Sequence, residues 1–277
     1  MLKKAWFVLI TLCFAQITFA QRDLIRFNNI TIDNGLIQGS ISGVVHGKDG
    51  FIWIATADGL HRYDGYNFKI YRNDPSQPNS LPDNYISCIY EDNSGKLLVG
   101  LYNGEVCILN KRSSEFKKLN LHRGKTNETP KPVSCISEDG RGAYLIGFDG
   151  AGMIKYDTSG TKIKIFQTGV TGGLVSNSIR CISKDRFTGN FWVGTATGLT
   201  EYNPVNDVFT TYPNFRNLND KIITTILATQ PDQLHIGTYG KGLYLYKRGE
   251  DTASRMVLPK SKGSRFISFL EYNTNNK

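Results

Sequence analysis

The chain has 277 residues, with 33 Lys and Arg against 24 Asp and Glu. The formal charge of +9, or +7 without Lys3 and Lys4, is spread along the chain as on a solvated surface, so nucleic acid is not an expected partner. Helical caps followed by 3.6-residue periodicity are missing after residue 22, which excludes a helical protein.

The N-terminal 1–20 read as a secretory signal. Lys3 and Lys4 precede an apolar stretch, Ala5–Phe14, and Thr18-Phe19-Ala20 stands before Gln21. The stretch is short for a membrane span, and nothing later in the chain approaches one. Cys13 lacks a lipobox, which argues against a lipid anchor. The expectation is an exported, periplasmic mature chain over 21–277 with no membrane span. An uncleaved signal would leave an N-terminal anchor.

A motif then recurs five times at intervals of 43 to 47 residues. Its copies are Ile41-Ser-Gly-Val44, Ile86-Ser-Cys-Ile89, Val133-Ser-Cys-Ile136, Ile179-Arg-Cys-Ile182 and Ile223-Thr-Thr-Ile226. A small residue follows each: Ala55, Gly100, Gly147, Gly194 and Gly237. A second glycine comes next: Gly59, Gly104, Gly152, Gly198 and Gly242. Tyr63, Tyr156, Tyr202 and Tyr246 stand four residues further on, with Ile108 in the second repeat. A period in the forties made of short apolar strands and glycine turns points to a β-propeller of four-stranded antiparallel blades.

Each repeat supplies a first strand at the motif itself and a second strand such as Phe51-Ile-Trp-Ile54 or Phe191-Trp-Val193. The third follows the second glycine, and the fourth is a segment such as Phe68-Lys-Ile-Tyr71 or Phe116-Lys-Lys-Leu119. The second strands are apolar at successive positions, as strands covered on both faces should be. Ile54, Val99, Ile146, Val193 and Ile236 are expected at equivalent buried positions. Repeats are expected near 35–79, 80–127, 128–172, 173–216 and 217–260, with the start of a sixth over 261–277.

Residues that could carry chemistry are few. Cys88, Cys135 and Cys181 share one column with Gly43 and Thr225, and read as small buried residues. Equivalent positions of neighbouring blades lie roughly 10 Å apart, too far for a disulfide. No Cys-x-x-Cys or His-x-x-x-His occurs, so no metal set or cofactor motif is expected. His235 falls in the column of Trp53 and Trp192 and reads as a packed side chain. Gly147-Phe-Asp-Gly-Ala-Gly152 joins two strands rather than opening a helix, unlike a phosphate loop.

Phe51-Ile-Trp-Ile-Ala-Thr-Ala-Asp-Gly-Leu-His-Arg-Tyr-Asp-Gly65 is similar to the two-component regulator propeller repeat, and 191–202 resembles a second copy. The lead-in Asp33-Asn-Gly-Leu36 and the loop 73–81 strengthen the likeness, which extends over 24–272. Leu98 and Leu145 depart from it in place of the tryptophan. The resemblance implies the periplasmic sensor region of a hybrid two-component system, in which a membrane helix, kinase and receiver follow and glycan-derived oligosaccharides are detected. The expected architecture is all-β: five full repeats plus parts of another, an incomplete seven-bladed ring. Phe27–Ile32 would be a fourth strand and Ile267–Leu270 a first strand of blades left unfinished, so self-association through the open propeller edge is expected.

Binding without catalysis is the expected function. The alternatives are a propeller-fold polysaccharide lyase or hydrolase, or a non-functional truncated remnant. No catalytic residue stands out, because the turns between second and third strands change chemistry from blade to blade. Sugars call for exposed aromatics beside amides and charges. Candidate contacts on one face are Tyr102, Asn103, Phe148, Asp149, Tyr239 and Lys241, with the loop Arg72–Asn84 on the same side.

Overall fold

The computed structural model describes residues 31–121, 131–160, 163–169, 173–212, 218, 221–250, 252–257 and 267, with residues 33, 34 and 38 excepted. Among them are five four-stranded sheets, each of consecutive strands paired in chain order. Blade 1 holds β1 (Ile41–His46), β2 (Ile52–Thr56), β3 (Gly59–Tyr63) and β4 (Phe68–Tyr71). Blade 2 holds β5 (Ile86–Glu91), β6 (Leu97–Leu101), β7 (Val106–Asn110) and β8 (Glu115–Lys118). Blade 3 holds β9 (Val133–Glu138), β10 (Ala143–Phe148), β11 (Gly152–Asp157) and β12 (Ile163–Phe166). Blade 4 holds β13 (Ile179–Lys184), β14 (Phe191–Thr195), β15 (Leu199–Asn203) and β16 (Val208–Thr211). Blade 5 holds β17 (Ile223–Gln230), β18 (Gln233–Thr238), β19 (Gly242–Lys247) and a short outer strand β20 (Ser254–Arg255). The expected signal over 1–20 lies outside the described residues, as does 261–277 apart from Ile267.

Successive blades meet at their first strands: β1 packs on β5, β5 on β9, β9 on β13 and β13 on β17. Second strands lie next outward and are covered on both faces, so β6, β10 and β14 are buried at every position. Ile54, Val99, Ile146, Val193 and Ile236 are all buried, each opposite the fourth residue of the motif in its own first strand. Their β-branched side chains suit a strand flanked on both sides.

Blade spacing is set by the small residue of each second strand. A Cβ built on Gly100 would lie 2.7 Å from Val133, and one on Gly147 2.7 Å from Ile179. On Gly194 it would lie 2.7 Å from Ile223, and on Gly237 2.7 Å from Ile267. The first apolar residue of each repeat thus presses on the backbone of the blade before it. The cross-strand neighbours of these glycines are Cys88, Cys135, Cys181 and Thr225. Blade 1 reverses the sizes: Ala55 supplies the methyl and Gly43 stands opposite. Side-chain volume at this layer is conserved, as close packing near the axis demands.

The four described thiols are free, and burial pushes them up, Cys135 to about 12. They act as small apolar side chains. The exception to this burial is β1. Ile86, Val133, Ile179 and Ile223 are fully buried, whereas Ile41 is 48% and Val44 57% exposed. The face of β1 turned away from blade 2 is uncovered among the described residues.

A polar clamp joins the blades at the end that carries the turns between first and second strands. Asp49, Asp92, Asp139 and Asp185 occupy that turn in four blades. Lys111 of blade 2 pairs with Asp49 at 3.0 Å and with Glu91. Tyr144 of blade 3 donates to Asp92 at 2.7 Å. Arg248 of blade 5 pairs with the fully buried Asp185, lies over the Trp192 ring at 5.3 Å, and leaves Trp192 Nε1 donating to the same carboxylate at 3.1 Å. Between blades 3 and 4, Asp207 accepts from Lys155 at 2.9 Å, Lys164 at 3.0 Å and the Tyr202 hydroxyl at 2.5 Å. Burial raises the Asp207 carboxyl, but these three donors outweigh it and hold it at about 2.

Two outcomes are expected. Gly194→Ala forces its methyl against Cys181 and Ile223 and lowers unfolding stability by about 1–3 kcal/mol. Gly39→Ala, with open space around it, stays within about 0.5 kcal/mol of the parent in the same urea titration. The second outcome concerns acid. The folded carboxyl of Asp207 lies below its unfolded value of about 3.9. Its stabilisation is therefore complete above about pH 4 and is lost as pH falls toward about 2. Asp207→Asn lowers the melting temperature at pH 7 and abolishes that part of the acid slope; an unchanged slope counts against the clamp.

Candidate ligand-binding face

The opposite end carries the turns between second and third strands and the links that enter each first strand. Backbone hydrogen bonds tie the two together: Tyr102 N to Tyr85 O at 3.0 Å, Asp149 N to Pro132 O at 2.9 Å, and Tyr239 N to Ile222 O at 3.0 Å. Gly59 N to Asn84 O at 2.8 Å brings the end of the Arg72–Asn84 loop to the same end. The turns need glycine where the chain reverses most sharply. Gly152 has φ +81°, and a Cβ there would lie 2.1 Å from the Phe166 carbonyl oxygen.

Sequence-predicted contacts fall in three places on this face. On blade 2, Tyr102 is exposed and stacks on exposed Tyr85, with ring centres 4.5 Å apart and planes 13° apart. Tyr85 was not among the expected contacts, because its pairing depends on the link and the turn meeting in space. Asn103 Oδ1 accepts the Glu105 amide at 3.0 Å and its Nδ2 donates to Glu105 at 3.2 Å, so its amide closes the turn. On blade 5, Tyr239 and Lys241 are exposed.

Blade 3 corrects the expectation. Phe148 is the last residue of β10, fully buried in the core between blades 2 and 3, and cannot offer its ring to a ligand. The extra apolar residue of Phe148 extends β10 into what read as a loop. Asp149 is committed as well. One oxygen accepts the Ser178 hydroxyl and the other accepts Arg180 Nη1 at 2.9 Å, latching blade 3 to blade 4. Arg180 occupies the motif position held elsewhere by Ser42, Ser87, Ser134 and Thr224. Ser42 and Ser87 donate to the Ile86 and Val133 carbonyls of the next blade. Arg180 breaks that pattern, and its buried Nε has no partner among the described residues. The arginine in a serine column was the available signal.

Histidines add no reactive group here. His61 is fully buried, and its Nε2 accepts the Ile37 amide at 3.3 Å. Burial lowers the basicity of both His61 and His235, and His235 Nδ1 lies 3.1 Å from the Thr229 hydroxyl. Among the described residues, no group of three His, Cys, Asp or Glu side chains could hold a metal. No helix among them is long and apolar enough to cross a membrane.

Residues 80–103 match the family profile of the two component regulator propeller. The match runs from the link into β5 through β6 to Asn103, so blade 2 carries a two component regulator propeller repeat. A stretch of 62 residues, 22% of this chain, is 40% identical to histidine kinase P4 of Formosa agariphila and covers 4% of that protein. The extracellular domain of a putative hybrid two component system from B. thetaiotaomicron superposes with a TM-score of 0.60 at 20% identity, over 90% of this chain and 39% of that one. The extracellular domain of a putative one component system from the same organism gives 0.66 at 21% identity, over 83% and 33%. The chain thus spans well under half of each relative. The shared fold is the β-propeller of four-stranded antiparallel blades.

Because the Asp149–Arg180 pair is about one-third exposed, Asp149→Ala is expected to cost about 0.2–1 kcal/mol in urea unfolding. A loss several times larger would make the latch a principal support of the blade 3–4 contact.

Proposed function

We propose that this chain is the exported ligand-sensing propeller of a hybrid two-component signalling protein, and that its ligands are oligosaccharides. The observation that carries the reading is the exposed Tyr85–Tyr102 stack, which lies within the segment matched to the two component regulator propeller. Stacked face to face, the two rings leave an outer ring face and their edges to a sugar, and the phenolic hydroxyls suit its oxygens. Tyr239 and Lys241 on blade 5 extend the same surface. Export by residues 1–20 agrees with the extracellular setting of the structural relatives.

A lyase or hydrolase would need a converging acid and base at this face. Of the carboxylates described on this end, Asp58 and Asp149 are each held by an arginine, Glu105 is paired with Lys118, and Asp83 accepts the Tyr85 amide, so each is already engaged. The reading is therefore binding without turnover.

The test is calorimetric titration of the purified chain with a panel of neutral oligosaccharides, combined with chromatography of the mixtures. Binding without products is expected, and Tyr102→Ala weakens it about tenfold through loss of a ring face. Product formation, or binding untouched by Tyr102→Ala, would sink the proposal.

A further inference from the structure

The blade 2–3 boundary is built differently from its neighbours. At the blade 1–2 boundary Trp53 packs tilted on Tyr71 of its own blade, and Tyr71 meets Phe116 of blade 2 edge to face, with ring centres 5.9 Å apart at both contacts. Between blades 3 and 4, Phe166 meets Tyr202 at 5.5 Å and Phe209 at 5.1 Å. Between blades 4 and 5, Trp192 meets Tyr212 at 5.6 Å, and Tyr212 meets Tyr246 at 6.5 Å. At the blade 2–3 boundary the matching positions hold Leu98 for tryptophan, Leu119 for Tyr71, and Ile163 for Phe209; Tyr156 is the aromatic residue among these outer positions, while Tyr90, Tyr144 and Phe148 belong to the first and second strands. Shorter side chains leave the outer strands unfilled. The result is an open groove of about 1040 Å³ along β7 and β8, facing Tyr156 and the turn after β11.

Its electrostatics are one-sided. Five cations, Lys96, Lys111, Arg112, Lys117 and Lys118, line the groove against a single carboxylate, Glu115. Lys111 and Lys118 are paired with Asp49, Glu91 and Glu105. Lys96, Arg112 and Lys117 have no carboxylate partner among the described residues. Uncompensated like charges held over low-dielectric walls concentrate positive potential in the cleft.

We propose that this groove is a second ligand site, separate from the turn-bearing face, and that it takes an anionic oligosaccharide whose acidic groups are uronate carboxylates or sulfates. The volume is at the upper end of small-ligand pockets, large enough for several sugar rings. Ile108 and Leu119 form an apolar strip for ring faces; Asn110 lines the groove with its Oδ1 accepting the Arg112 and Ser113 amides, which leaves its Nδ2 as the group for a sugar oxygen. An acidic peptide adding to the edge of β8 would draw on backbone groups instead, and would leave this side-chain pattern unused. The site stands independently of the proposed sensing face.

The experiment is calorimetric titration of the purified chain with oligogalacturonates, heparin-derived oligosaccharides, neutral cello-oligosaccharides of equal length and a poly-glutamate peptide. Binding of one anionic saccharide class is expected, and which one identifies carboxylate or sulfate as the recognised group. Affinity should fall about tenfold in the Lys96→Gln/Lys117→Gln double variant and weaken with added salt. Leu119→Tyr, which restores the aromatic residue of the other boundaries, should abolish binding while leaving the melting temperature at or above that of the parent. Lys247→Gln should leave this binding unchanged. The proposal is overturned if neither anionic saccharide binds, if poly-glutamate binds as tightly, if the Lys96→Gln/Lys117→Gln variant loses neutral and anionic sugars equally, or if the groove variants retain parental affinity for the anionic saccharides.

Discussion

The close approach of each blade to the one before it is the constraint on which the rest depends. Val133, Ile179, Ile223 and Ile267 sit where a methyl on Gly100, Gly147, Gly194 or Gly237 would collide with them. That contact fixes the distance between first strands and places the second strands in fully apolar surroundings. It also explains why a cysteine or threonine stands opposite each of these glycines. The pair together fills one layer, and blade 1 reaches the same volume with Gly43 opposite Ala55. Because the contact is steric and nearly rigid, everything farther out along the blades is set by side-chain length.

Outward from that layer, each boundary is completed by an aromatic contact and a charged clamp. The aromatic groups supply apolar area; Asp49, Asp92 and Asp185 at the first turn collect donors from the next blade, and between blades 3 and 4 Asp207 collects them from the blade before. Asp185 shows the arrangement most fully: buried, bonded to Trp192 and paired with Arg248. A buried carboxylate is costly unless its oxygens are occupied, so these clamps also dictate which blade can follow which. The blade 2–3 boundary keeps the clamp through Tyr144 and Asp92 but loses most of the aromatic layer. A groove follows from that one difference.

Functional chemistry accordingly lies at the ends and outer edges, where the packing rule relaxes. At the turn-bearing end, some polar side chains serve the scaffold: Asn103 closes its own turn, and Asp149 latches two blades. Tyr85 and Tyr102 are exposed there and stacked on one another. Rigid turns on a packed scaffold present a ligand surface at low entropic cost.

Much of the fold was legible in the chain itself. The recurring Ile-x-x-Ile motif, the two glycines and the apolar second strands specify four-stranded blades, because these are local requirements of strand and turn geometry. The same pattern identified Ile54, Val99, Ile146, Val193 and Ile236 as one buried column. Tyr102, Tyr239 and Lys241 were placed on one end by strand order alone. Tertiary structure decided what depends on neighbours one repeat away. It buried Phe148, committed Asp149 to Arg180, paired Tyr85 with Tyr102, and left Ile41 and Val44 exposed where their counterparts are covered. A single repeat cannot reveal which face of an adjacent blade its side chains will meet. Leu119 reads as an ordinary apolar residue in sequence; only against Tyr71 and Tyr212 at the other boundaries does it become part of a groove wall.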